Sequence, residues 1–212
     1  GVAGTKYTVT PSISVLEEVK RRGLKKVAVV GVPCQIHAVR KAEAYSSELL
    51  SSLGEIVILI GIFCMENFGH RALKEIVEGR LGVKLEDVVK FNIDKGRFFA
   101  HTKSGEERSI AVKDVSMLAR HACHYCPDLT NELADISVGS IGSSKGWSTV
   151  LVRTKKGEEV FEGAVKEGYV TANPLSDTSM ELLQKLARGK RRRNLEALNE
   201  RAREGKYTTL LI

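Results

Sequence analysis

Two continuous apolar, β-branched runs, 26-KVAVVGVP-33 and 55-EIVILIGIFC-64, are each followed by a segment with helical spacing, 34–54 and 66–82. Runs of this kind predict strands buried on both faces of a parallel sheet, so the first third is expected to be a βαβα unit. A helix over 12–23 precedes it, opened by Ser12 or Ser14 and closed by Gly23. From 87 to 112 the period shortens to alternation, with turns at Lys95-Gly96 and Ser104-Gly105, which predicts a small antiparallel meander inserted into the chain. A short helix over 113–122 follows. Beyond a turn at Pro127 and Asp128, the pattern predicts strands at 134–140 and 147–154, a helix at 158–168, a short strand at 169–173, and a helical tail at 176–205 that breaks near Gly189. The expected fold is therefore α/β: a parallel βαβ core with a β meander insertion and a helical C-terminal tail. Its expected domains are a core over 1–154 and a C-terminal α/β and basic helical extension over 155–212.

Composition narrows this picture. The longest apolar stretch, 56-IVILIGIFCM-65, falls short of the ~18–20 residues of a membrane span, so no transmembrane segment is expected. The start, 1-GVAGTKYTV-9, has neither an initiator methionine nor the regions of a signal peptide, and upstream sequence is expected to be missing. Four cysteines in 212 residues are too few for a disulfide framework and fit a reducing cytoplasm. The net charge of +7 gathers in 188-RGKRRR-193 and 201-RAREGK-206, which reads as a solvated helix face in preference to a nucleic-acid-binding one.

The chemistry centres on 121–154. Cys123 and Cys126 form a CxxC pair, whose spacing lets two thiolates face one metal. Cys34 and Cys64 each follow one of the two predicted parallel strands, which places both at the carboxyl edge of the sheet, where open α/β folds bind ligands. Three readings remain open: a structural zinc, a redox dithiol, and a [4Fe–4S] cluster held by all four thiolates. Two ordinary core cysteines are the plainer alternative for Cys34 and Cys64. A loop rich in glycine and serine follows, with Ser137, Gly139, Ser140, Gly142, Ser143, Gly146 and Ser148 around the single Trp147. Such a loop can offer amides and hydroxyls to phosphate, although on composition alone an ordinary turn is the better reading. His121 and His124 flank the CxxC pair and could serve as spare ligands, although hydrogen bonding or solvation around the pair is the better reading; His37, His70 and His101 show no catalytic pattern.

The phrases 4-GTKY-7, 29-VVGVPCQIHAVRK-41, 62-IFCMENF-68 and 123-CHYCPDLTNELADISVGSIGSSKGWSTVLVRT-154 resemble, in order, the beta subunit family of coenzyme F420 hydrogenases and dehydrogenases. The resemblance implies part of an oxidoreductase that holds FAD and a [4Fe–4S] cluster, passing electrons between coenzyme F420 and a hydrogenase or dehydrogenase partner subunit or a ferredoxin-like carrier. It implies Cys34, Cys64, Cys123 and Cys126 as cluster ligands. For the flavin it implies Thr5, Lys6 and Tyr7 together with the 137–148 loop, including Trp147. The expected protein is cytoplasmic, in line with its few cysteines, able to form oligomers, and without a nucleic-acid partner. Members normally carry a region before the GTKY phrase, and some act on other substrates. The rival of another class is a zinc-stabilised, non-enzymatic module with a basic nucleic-acid-binding tail.

Overall fold

The computed structural model describes residues 14–44 and 55–206. Helix α1 (Val15–Arg21) leads into strand β1 (Lys26–Gly31), helix α2 (Pro33–Ala44) and strand β2 (Glu55–Ile62). Helix α3 (His70–Lys74) runs straight into a π-helical turn at Glu75–Arg80. Strands β3 (Val88–Asp94), β4 (Arg97–Thr102) and β5 (Glu107–Ala111) come next, then the short α4 (Val112–Val115). Strands β6 (Ile136–Gly139) and β7 (Thr149–Val152) and helices α5 (Lys155–Lys166) and α6 (Asp177–Arg203) complete the order. No helix among the described residues is long and apolar enough to cross a membrane.

These elements fall into two compact units. One, Glu66–Tyr125, contains the antiparallel β3-β4-β5 sheet expected from the alternating segment. Its core joins Phe68, Ile76, Val77 and Leu81 to Phe98 and Val115; the Phe98 ring meets Phe68 edge-on at 6.4 Å and Phe91 at 5.3 Å. Such pairs add to area burial because ring edges are positive and faces negative.

The other unit holds β1, β2, β6 and β7 in that order, with β1, β2 and β6 parallel and β7 antiparallel to β6. The parallel βαβ core is thus present, with β6 and β7 as a hairpin whose connection is the glycine-serine loop. Helix α1 ends where Gly23 takes φ +63° and the Leu24 amide reaches back to Val19, the left-handed stop that glycine supplies without a Cβ clash. Leu16, Ile36, Val39, Leu59 and Ala134 form the core on one face of this sheet.

The structure corrects three expectations. β1 is not buried on both faces: Lys26, Ala28 and Val30 alternate as exposed positions, because α1 and α2 supply apolar side chains to the Val29 side of the sheet. Residues 169–173 join neither sheet, and Tyr169 is 83% exposed, so this β-branched stretch pairs with no described strand. Helix α6 does not break at Gly189; it runs 27 residues unbroken, because capping by Ser176 and a buried stripe outweigh one glycine.

Candidate functional site

Cys34 and Cys64 owe their positions to the register of the sheet. Gly31 of β1 pairs with Gly61 of β2, and each cysteine stands at the same offset beyond its glycine. Pro33 opens α2, where its missing N–H costs nothing and its fixed φ suits the first turn. Gln35 reaches back to accept the Val32 amide at 3.0 Å, half of a capping box, which fixes the turn carrying Cys34. Cys34 is exposed at this positive helix end, a place that favours anions. Cys64 is half-buried, and its amide donates to Leu129 O at 2.9 Å.

Cys126 belongs to the same unit, at the start of the turn closed by Asp128, whose carboxylate accepts the Asn131 and Glu132 amides at 2.7 and 2.8 Å. Cys123 belongs to the other unit. Its short 3₁₀ turn, His121–His124, is held by the Cys123 amide on Arg120 O, and the half-buried thiol lies 3.8 Å from Asn67 O and packs on that unit's core. His121 stacks edge-on with Tyr125 at 5.0 Å. Among the described residues no three His, Cys, Asp or Glu side chains converge on one point. Within one unit, Cys34, Cys64 and Cys126 offer thiols, the donor type an iron–sulfur centre takes, and the backbones of Cys64 and Cys126 are held by buried polar side chains of α6.

Those side chains escaped the sequence reading. Lys190, 2% exposed, donates to Cys64 O at 2.6 Å and Asp128 O at 2.8 Å, and the buried Asn194 donates to Cys126 O at 2.8 Å. The expectation that 188–193 is a solvated basic face is therefore wrong at its centre, where Lys190 is inside, while Arg191 stays exposed and pairs with Glu132. The signal lay in the spacing of Leu183, Lys190, Asn194 and Leu198, one helical face that a lysine interrupts.

Two more buried polar residues shape this edge. Asn131 has φ +63°, is fully buried, and donates to Gly31 O at 2.9 Å, while its Oδ1 has no hydrogen-bond partner among the described residues. Gly61 makes room for it: a Cβ there would sit 2.4 Å from Asn131 Cγ. Asp135 accepts the Leu59 amide and the Thr154 hydroxyl at 2.8 Å each, and Arg40 at 3.0 Å. Burial pushes the Asp135 carboxyl up, but these donors outweigh it and hold it below the usual carboxylate value. His37, one turn past Cys34, has its Nε2 buried without a hydrogen-bond partner among the described residues; burial first and Lys41 second lower its pKa, against Asp128.

The glycine-serine loop carries structural reasons for much of its composition. Gly139 lies where a Cβ would strike the Phe63 ring at 2.1 Å, and Gly142, at φ +85°, would strike Ser179 O at 2.9 Å. Gly146 takes φ +89° in a turn. Ser137 is buried, donating to Asn131 O and accepting from Arg153, and Ser143 donates to the loop's own carbonyls, Ser140 O and Trp147 O. Ser140, Trp147 and Ser148 remain exposed. Thr5, Lys6 and Tyr7 lie outside the described residues.

With this geometry in place, residues 24–178 match the family described as coenzyme F420 hydrogenase/dehydrogenase, C terminus of the beta subunit. The chain is 42% identical over 206 residues to the coenzyme F420 hydrogenase subunit beta of Methanococcus voltae, covering 96% of this chain and 73% of that one. It is 33% identical to the coenzyme F420-dependent sulfite reductase of Methanocaldococcus jannaschii, covering 98% of this chain and 33% of the longer enzyme. A solved structure of the F420-reducing [NiFe] hydrogenase complex from Methanosarcina barkeri contains a chain that superposes with a TM-score of 0.89 at 41% identity, covering 93% of this chain and 69% of that one. These relatives are oxidoreductases or their subunits, and on both sequence and fold the chain belongs to the coenzyme F420 hydrogenase/dehydrogenase beta subunit family.

Proposed function

We propose that this chain is an iron–sulfur flavoprotein subunit that moves electrons to or from coenzyme F420 in the cytoplasm, alongside a hydrogenase or dehydrogenase partner subunit or a ferredoxin-like carrier. The observation that carries the reading is the matched placement of Cys34 and Cys64 beyond the paired Gly31 and Gly61. Cys126 adds a third thiol from the same unit, and Cys123 follows from the CxxC spacing. Bound there, a [4Fe–4S] cluster would supply one-electron steps and FAD the two-electron exchange that a deazaflavin requires. The chain's own part is to hold and shield. Cys34, Cys64, Cys123 and Cys126 provide the thiolates, and the positive end of α2 favours the negative charge they bring.

For the flavin, support comes from the family and from the exposed part of the hairpin loop. Trp147 offers an aromatic face, Ser140 and Ser148 offer hydroxyls, and Gly142 and Gly146 let the backbone turn closely; Ser137, Gly139 and Ser143 hold the loop's shape. Thr5, Lys6 and Tyr7 are the second part of the proposed flavin site.

Anaerobically purified protein should show cluster and flavin absorption, and Cys34→Ser and Cys123→Ser should lose iron equally, since each removes one ligand of the same centre. Iron lost from the second variant but not the first refutes the four-ligand set, and a colourless protein holding one zinc refutes the cluster. Loaded with FAD and given an electron donor, the protein should reduce coenzyme F420; activity with a different acceptor alone would reassign the substrate.

A further inference from the structure

Helix α6 buries Leu183, Lys190, Asn194 and Leu198 on one face. Leucines there need no comment, but an ammonium does. Lysine normally keeps its charged head in water by extending its stem along the surface, and taking an isolated charge out of water costs several kcal/mol unless an opposite charge compensates. Lys190 is 2% exposed, and its ammonium meets two neutral carbonyls, Cys64 O at 2.6 Å and Asp128 O at 2.8 Å. Among the described residues it forms no ion pair within 4.0 Å. Carbonyl dipoles solvate the charge without neutralising it, and one of the ammonium's three donors is left over.

The backbone it grips points to the anion this charge serves. Cys64 and the Cys126 turn each contribute a thiol to the proposed site, and Asn194, one turn along the same face, ties down Cys126 O. A cluster held by four thiolates is a net anion and becomes more negative on reduction. Its potential responds to nearby charge and hydrogen bonding.

We propose that Lys190 is a positioning residue for the iron–sulfur centre: it fixes the backbone of Cys64 and of the Cys126–Asp128 turn, and its buried positive charge favours the reduced cluster. This rests on the cluster reading above.

The test compares wild type, Lys190→Arg, Lys190→Gln and Lys190→Met after anaerobic iron and sulfide reconstitution, reading iron content and the midpoint potential by spectroelectrochemistry. Gln can still donate to a carbonyl but carries no charge, so its cluster should form with a potential shifted to more negative values, while Arg stays near wild type. Met, lacking charge and donor, should also bind its cluster roughly 10- to 100-fold more weakly, the usual cost of losing an outer-shell partner. A Gln variant with an unshifted potential overturns the proposal and leaves Lys190 a purely structural tie. Should Met fail to fold, the Gln and Arg pair still decides. Absence of iron from reconstituted wild type defeats the cluster reading itself, a result separate from an unshifted potential in a loaded variant.

Discussion

Asp135 gives the sharpest test of how this fold is held together. Asp135 is 3% exposed, and its carboxylate takes the Leu59 amide on one oxygen and the Thr154 hydroxyl and Arg40 guanidinium on the other. It therefore ties β2, α2 and the Thr154 cap of α5 to the start of β6. Asp135→Asn is nearly isosteric, yet it turns one acceptor oxygen into a donor that must face an existing donor. Losing a charge-assisted hydrogen bond and stranding a buried donor each cost ~1.5 kcal/mol at the low end of their ranges, so we expect about 3 kcal/mol in all. At roughly 2–4 °C per kcal/mol for a chain of this size, that lowers Tm by about 6–12 °C near neutral pH. The pH dependence gives the sign. Because the folded carboxyl titrates below its unfolded value of about 3.9, its stabilisation is complete above that value and is lost as pH falls through the folded pKa. The gap between wild type and variant should be flat from about pH 5 to 8 and narrow below about pH 4. Calorimetric or circular-dichroism melts across that range would check it. A variant melting within about 1 °C of wild type at neutral pH, or a gap that widens on acidification, would refute the reasoning.

Gly61→Ala should destabilise by ~1–3 kcal/mol in urea titration, because the new methyl overlaps the Asn131 side chain. Adding Asn131→Gly should recover part of that loss, since glycine accepts φ +63° and clears the overlap, and strictly additive costs would count against the contact. Gly189→Ala should raise Tm by the equivalent of ~0.5–1 kcal/mol, as the position is interior to α6 and a Cβ there meets nothing within 4 Å. A loss of stability would mean that Gly189 has a packing role.

Local pattern carried most of the element order, because the period of apolar residues is set by the backbone each segment adopts. The runs at β1 and β2, the alternation of β3 to β5 and the glycine stop after α1 were all legible for that reason. Residues 169–173 show the limit: valine and threonine favour strands, but a strand exists only where the chain lies along a partner strand. Gly189 shows another, since whether a helix survives a glycine depends on the face it buries.

The sequence by itself determined the α/β class, the family, and the placement of Cys34 and Cys64 just past two strands. Only the tertiary structure decided that Gly31 and Gly61 are in register, that Asn131 wedges between the strand ends, and that the basic stretch of α6 turns Lys190 inward to Cys64 and Asp128. The difference is physical. Period and turn chemistry act between residues near in sequence, whereas the burial of a charge is decided by what the folded chain brings from 126 residues away.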